Sequence, residues 1–213
     1  ILEQLPERTD PTQIVVRPLA VKEETEVSRL FGSVYGYNYV NEYVYFPEKL
    51  EAMREEGRLT SVVAALPDGR MVGHIGLLKW NDNPNVYEAA LGLVDPRIKA
   101  KGLFGEMFRE IMMLTESRPM QYLIYDLVTN HDISQRQVAK YGSNDLAIMV
   151  GCQVSDTQAR LESLGIGSDS REMDRYSLLL AIKPMVDYPF GHVVTLPANI
   201  GEIAEFILKP LKM

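Results

Sequence analysis

The sequence predicts an α/β (α+β) protein, and three observations carry that reading. Apolar runs with strand character alternate with segments whose apolar residues recur every three to four positions, the pattern of a sheet covered by helices. Leu59–Leu66 (LTSVVAAL) and Met71–Trp80 (MVGHIGLLKW) flank Pro67-Asp68-Gly69-Arg70, which punctuates a hairpin. Leu91–Thr115 (LGLVDPRIKAKGLFGEMFREIMMLT) runs from a buried strand end through a short basic loop into an amphipathic helix.

Taken in order, Gln13–Pro18 reads as a first strand, closed by Arg17-Pro18. Lys22–Val34 is helical, with Val27, Leu30, Phe31 and Val34 on one stripe. Pro47 in a first turn, Leu50 and Met53 inside and Gly57 past the end frame a second, short helix. After the hairpin, Asn81–Asn85 is a loop and Val86–Val94 a strand that Asp95-Pro96 stops, because proline cannot continue a ladder. Phe104, Met107, Phe108, Ile111 and Met112 mark the buried face of a third helix. Gln121–Val128 is a strand and Asp132–Tyr141 a short polar helix. Asp145–Val150 and Arg175–Lys183 are two further strands, separated by a helix-like or irregular stretch from Val154 to Gly167. Pro184, Pro189, Gly191 and Pro197 then punctuate a tail with a short strand at His192–Leu196 and a helix at Ala198–Leu208. The expected organisation is one domain over residues 1–183 and a strand-helix appendage over 184–213, too small for a second core. The appendage either packs on the sheet edge or serves as a homodimer contact. With Ile1 rather than methionine first, the expectation is a processed chain or the start of a longer polypeptide.

Composition narrows the partners. A net charge of −7 disfavours nucleic acid and anionic membranes, which need a basic field. One cysteine, Cys152, excludes an internal disulfide framework and suits a reducing cytoplasm. His74, His131 and His192 share no metal-ligand spacing with it, so no metal is expected. The first ten residues lack a signal-peptide core and no apolar run approaches membrane length, so the expected location is cytoplasmic.

Against this acidic background, Arg97, Lys99 and Lys101 fall within five residues and Gly102 follows. A helix start offers unpaired N–H groups and the positive end of the dipole. Cations beside it, with a glycine that admits close backbone approach, suit a diphosphate. The alternative is an ordinary solvated loop.

The segment resembles the coenzyme A-binding motif of the GCN5-related N-acetyltransferases (GNAT), Gln/Arg-x-x-Gly-x-Gly/Ala after a strand ending in Val-x-Pro. Val94-Asp95-Pro96 matches the strand end, Lys99 the first basic or amide position, and Gly102 the first glycine. Phe104 takes the place of the second small residue and departs from the pattern. The element order from Gln13 to Lys183 is also that family's. The resemblance implies a GNAT-like twisted, mostly antiparallel mixed sheet flanked by helices on both faces. It implies acetyl-CoA or another acyl-CoA as co-substrate, held by Leu93, Val94, Lys99, Lys101, Gly102, Leu103, Phe104 and Gly105. The reaction implied is direct N-acyl transfer to a small-molecule amine.

A second motif, Thr129–Gly142 (TNHDISQRQVAKYG), extends the resemblance. By it, His131 and Ser134 contact the pantetheine arm. The family's proton-donating tyrosine falls on Val138, which leaves Tyr141, three residues on, as the candidate acid, and Ser143 replaces a phenylalanine. Read from the residues alone, Asp132 and Ser134 serve equally as helix caps. Glu88, in an otherwise apolar strand, matches the family's glutamate that acts through water as base; an amine attacks a thioester only when neutral, so a proton acceptor is needed. Its alternative is an exposed strand beginning.

Five of the 11 tyrosines crowd into Tyr35–Phe46 (YGYNYVNEYVYF). By the resemblance this connection walls the acceptor site, with Tyr35, Tyr37 and Tyr39 as candidates; alternatively the rings pack the first two helices onto the sheet. His74 reads as a structural histidine, and Gly73 and Gly76 beside it imply tight packing or a bulge. The competing function is a non-catalytic acyl-CoA-binding or protein-interaction module, towards which Phe104, Val138 and Ser143 count.

Overall fold

The computed structural model describes residues 13–80, 83, 85–98, 100–129, 131–153 and 176–186. Lys99, the stretch 154–167 and the strand and helix expected between 192 and 208 lie outside the described residues. The elements run β1 (Val15–Pro18), α1 (Glu24–Tyr35), a 3-10 turn (Glu42–Tyr45), α2 (Pro47–Glu55), β2 (Leu59–Ala65) and β3 (Met71–Lys79). They continue with β4 (Val86–Val94), α3 (Leu103–Glu116), β5 (Tyr122–Val128), α4 (Ile133–Lys140), β6 (Asn144–Gln153) and β7 (Tyr176–Pro184). This is the order the sequence predicts.

Boundaries move where local chemistry is ambiguous. The first helix begins at Glu24 rather than Lys22, because Lys22 sits at φ 72°, outside helical space. β6 continues past Val150, the expected end: Gly151 adopts φ 55°, its N–H donates to Ser177 Oγ at 3.0 Å, and pairing resumes at Gln153 opposite Tyr176. The 67–70 turn is held as its residues suggest. Leu66 N–H donates to the Arg70 carbonyl at 2.9 Å, Asp68 Oδ1 accepts from Arg70 N–H at 3.1 Å, and Gly69 supplies φ 89°.

Among the described residues, seven strands form one sheet in the order β1-β2-β3-β4-β5-β7-β6. Every pairing is antiparallel except β4 with β5, so the sheet is mixed and mostly antiparallel, with helices on both faces. Strand alternation sends two sets of side chains to opposite faces. Val62, Ala64, Leu77, Tyr87, Leu123, Tyr125 and Leu127 meet Leu103, Met107, Phe108, Ile111 and Met112 of α3. Val63, Ala65, Met71, Leu91 and Leu93 meet Val27, Leu30 and Phe31 of α1 and Leu50 and Met53 of α2. Each fully buried aliphatic or aromatic side chain contributes about 1.5–3 kcal/mol by leaving water. α1 is tied to α2 by a half-buried ion pair, in which Arg54 Nε donates to the buried Glu24 Oε1 at 2.6 Å. Among the described residues, no helix is long and apolar enough to cross a membrane.

Candidate active site

The site is set by where β4 and β5 stop pairing. Their parallel ladder spans only Val86–Glu88 against Tyr122–Ile124, although both strands continue, β4 to Val94 and β5 to Val128. Among the described residues, nothing pairs with the facing edges of these two strands beyond those three pairs, which leaves a gap between them.

A bulge in β4 sits at the edge of that gap. Two steps on β3, from Gly76 to His74, lie opposite three on β4, from Ala90 to Leu93. Leu91, the residue so displaced, has φ 57°, a left-handed conformation costing a leucine about 1–3 kcal/mol. The extra residue reverses which backbone groups face outward. Below it, the Val86 carbonyl accepts from Trp80 N–H at 3.0 Å, so even-numbered residues turn toward β3. Above it, Asp95 N–H donates to the Val72 carbonyl at 2.9 Å, so odd-numbered residues do. By the two-residue period of a strand, Gly92 and Val94 therefore present their backbone N–H and C=O groups to the gap. Leu93 places its own side chain in the α1/α2 core.

At the top of β4 the chain turns through Asp95-Pro96-Arg97, where Ile98 N–H donates to the Asp95 carbonyl at 2.9 Å. The buried Asp95 carboxylate takes the Arg97 guanidinium bidentately, Nε at 2.8 Å and the terminal nitrogen at 2.6 Å, and also accepts from Arg97 N–H at 2.9 Å. This pairing raises the Arg97 pKa, hydrogen bonding being the main cause. Of the three cations in the loop, Arg97 is thus spent on shaping the turn. Lys101 is exposed, and Gly102 at φ 86° opens α3 from a conformation that favours glycine. Leu103 N–H donates to the Ala100 carbonyl at 3.5 Å, and the first-turn N–H groups of Phe104 and Gly105 follow.

Phe104 is accommodated in the core. A Cβ on Gly92 would stand 3.0 Å from Phe104 Cε2, so the ring lies on the space that glycine leaves, with Phe108 at 6.3 Å between centroids. The bulky residue in the motif is thereby matched by a missing side chain on β4. A Cβ on Gly105 would meet Gln137 Nε2 at 3.3 Å, which puts the start of α3 against α4.

α4 closes the open end of β5. Gln135 Nε2 donates to the carbonyls of Val128 at 2.9 Å and His131 at 3.1 Å. The capping alternative for this helix does not hold: Asp132, at the N-cap, makes no side-chain cap and pairs with Arg136 at 2.9 Å instead. Ser134 Oγ is buried and has no hydrogen-bond partner among the described residues. Ser134 shares a helix face with Val138, which is 1% exposed in the α3-side core. His131 is exposed. Tyr141 caps the far end of α4, about 10 Å along the axis from Ser134 at 1.5 Å per residue. Its ring packs on Phe108 at 5.1 Å, with Lys183 Nζ 6.0 Å from its centroid. The structure does not bring it together with Glu88.

Glu88 lies at the root of the gap, half-buried, on the last paired position of β4 opposite Ile124. Burial, and then the charge of Asp126, push its carboxyl up to about 7, against a hydrogen bond from Trp80. Asp126 is two residues beyond Ile124 and so on the same sheet face, open to solvent at the mouth; burial by the surrounding walls raises it as well. Tyr43, from the 3-10 turn, is pushed up to about 12 by burial and by the Glu88 charge, with Arg58 acting the other way. Its phenol stays protonated at neutral pH.

Tyr43 is the tyrosine that sequence reasoning missed, although the crowded segment contains it. The three candidates have other company. Tyr35 stacks on Phe31 at 6.2 Å, Tyr39 meets Phe31 edge-on at 4.8 Å, and the two tyrosines lie tilted 4.9 Å apart. Tyr37 lies 5.5 Å from Tyr45, whose hydroxyl accepts from Tyr39 N–H at 2.9 Å. Tyr43 falls in the Glu42–Tyr45 turn together with Tyr45, and nothing in the sequence separates the two.

These residues fit an acyl-CoA. Backbone donors and acceptors line a strand gap, a glycine-led helix start offers N–H groups to phosphate, and the buried Ser134 hydroxyl lacks a partner among the described residues.

No protein-family model and no curated protein matches the chain. Solved structures do. A candidate acetyltransferase from Salmonella typhimurium, solved with its cofactor acetyl-CoA, aligns at TM-score 0.62 and 11% identity over 87% of this chain and 98% of that one. The ribosomal-protein-S18-alanine N-acetyltransferase of Escherichia coli aligns at 0.57 and 12%, over 85% and 99%. A GCN5-related N-acetyltransferase from Kribbella flavida aligns at 0.57 and 13%, over 83% and 100%. The chain has the fold of the GNAT acetyltransferases.

Proposed function

We propose that the protein is an acyl-CoA-dependent N-acyltransferase that moves an acyl group, most simply acetyl, directly to an amine of a small molecule. The observation that carries this reading is Glu88, held near pKa 7 at the root of the β4/β5 gap. A thioester supplies an acyl carbon activated for attack. The backbone of Gly92 and Val94, the first turn of α3 and Ser134 would hold the arm, while Glu88 takes, directly or through water, the proton the acceptor ammonium loses. As the amine nitrogen bonds to the acyl carbon, the carbon–sulfur bond breaks, the thiolate leaves, and the nitrogen's second proton passes to the thiolate or to solvent. A thiol near pKa 8.5 departs tolerably without an acid, so solvent suffices where Val138 has no proton to give and Tyr141 lies far along α4. The exposed Asp126 and the protonated Tyr43 suit a polar acceptor at the same mouth. The single exposed cysteine, Cys152, suits a reducing cytoplasm as its compartment.

The second reading, a module that binds acyl-CoA without transfer, is favoured by the burial of Val138 where the family places its acid. One experiment separates them. CoA at a hundred times its dissociation constant stabilises by about 2.7 kcal/mol, roughly 5–10 °C in melting temperature for a chain of this length. Thiol release from acetyl-CoA across polyamines, amino acids and aminoglycosides then reads transfer. A thermal shift without thiol release for any amine favours the module, and no shift with millimolar CoA removes both readings.

A further inference from the structure

His74 is a buried titratable group that the proposed transfer does not use. It stands on β3 directly beside the bulge and is 0% exposed. Its Nδ1 lies 2.9 Å from the Leu91 carbonyl and its Nε2 2.9 Å from Ser61 Oγ. A carbonyl only accepts, so Nδ1 carries the proton and Nε2 accepts from the Ser61 hydroxyl. Burial holds the ring neutral at neutral pH, its pKa lowered to about 4. Phe31 packs edge-on against the ring at 5.7 Å between centroids.

The partner it has chosen is significant. A bulge leaves its extra residue out of the ladder, and the Leu91 carbonyl is in a buried part of the sheet. His74 supplies the donor that the ladder cannot. Leu91 is also the residue in left-handed space, and its displacement is what turns Gly92 and Val94 toward the gap.

We propose that the Ser61–His74–Leu91 chain is a positioning device, which pins the strained bulge so that the backbone of Gly92 and Val94 is aimed at the acyl-pantetheine arm. This role rests on the acyl-CoA reading of the gap. Ser61 orients the ring, the ring holds the carbonyl, and the carbonyl fixes the register of the strand above it.

The side chains that replace His74 discriminate sharply. Asparagine places an amide N–H where Nδ1 stands, whereas glutamine reaches the Nε2 position and leaves Leu91 unserved. Binding of CoA and acetyl-CoA is measured by calorimetry on native protein, His74→Asn, His74→Gln, His74→Leu and Ser61→Ala. Amide hydrogen exchange over residues 89–95 is followed in the same unliganded proteins. The expected result is near-native affinity and exchange for His74→Asn. His74→Gln and His74→Leu should bind at least tenfold more weakly and exchange faster in β4 alone, and Ser61→Ala should fall between. Equal loss in the asparagine and leucine variants, or native affinity in His74→Leu, overturns the proposal. Should His74→Leu fail to fold, the contrast between asparagine and glutamine decides alone. Native protein that binds neither ligand overturns the acyl-CoA reading and this role with it. Unchanged β4 exchange in His74→Gln would show instead that the anchor itself is absent.

Discussion

The two halves of β4 are built from similar residues and serve different ends. From Val86 to Glu88 the strand is paired on both edges, and its polar residue, Glu88, is walled in far enough to lift its carboxyl to about 7. From Leu91 to Val94 it is paired on the β3 side alone, begins with a strained leucine and has a glycine under an aromatic ring. The paired half gives up little backbone to solvent and tunes a side chain. The open half keeps its side chains in the core and offers its backbone. Under the proposed function, the open half would be the binding edge and the paired half would carry the base.

Breaking the paired half at its polar residue has the largest expected effect. Glu88→Gln should lower turnover by about 10²–10⁴-fold, the usual weight of a general base, with little change in CoA affinity. Native turnover should rise with pH through about 7 as Glu88 ionises, and that limb should vanish in the variant. Stability carries the opposite sign. A carboxyl raised in the folded state favours folding while protonated, so its contribution is complete below its ordinary pKa and is lost as pH rises through about 7. Glu88→Gln should therefore melt above the native protein at pH 8 and level with it near pH 4. A variant equally active, or equally stable at both pH values, would place the base elsewhere.

The open half is probed through its glycine. Gly92→Ala adds a methyl 3.0 Å from Phe104 Cε2 and 3.4 Å from its Cζ. Overpacking of this kind costs about 1–3 kcal/mol, roughly 2–12 °C in melting temperature. Phe104→Leu in the same chain should recover much of the loss, since the two positions share one space and their effects should not add. Additive losses would mean that the ring escapes elsewhere, and that Phe104 is not held by the vacancy on β4.

The order of elements was legible in the sequence because each carries its own periodicity and punctuation: Val27, Leu30 and Phe31 at helical spacing, Pro67-Asp68-Gly69 at the turn, Asp95-Pro96 at the strand end. Glu88 was legible too, as a carboxylate in an apolar run. What stayed hidden is pairwise. That Arg97 is consumed by Asp95, two residues away, depends on a turn conformation that a count of cations does not contain. That Phe104 needs Gly92 links positions twelve apart on different elements. Which tyrosine approaches Glu88 depends on how the α1–α2 connection coils, and five tyrosines within eleven residues look alike until it does. The bulge itself has no signature beyond Gly73, Gly76 and Gly92, because a leucine occupies the strained position.

The smallest expected effect lies across the gap, at the start of α4, and it is informative because its two parts differ in sign. Ser134 Oγ is buried without a partner among the described residues, and an unsatisfied buried hydroxyl costs about 1–3 kcal/mol. In the unliganded protein Ser134→Ala should therefore be neutral or stabilising, where removal of a merely structural serine would be destabilising. With CoA present the hydroxyl gains its partner, so the alanine variant should bind about 2–10-fold more weakly, the worth of one hydrogen bond of roughly 0.5–1.5 kcal/mol. Melting curves with and without saturating CoA measure both quantities on the same samples. The ligand-induced shift should shrink in the variant while the unliganded melting temperature holds or rises. Should the variant melt lower and bind CoA as the native protein does, Ser134 belongs to the packing of α4 and the arm lies along β4 alone.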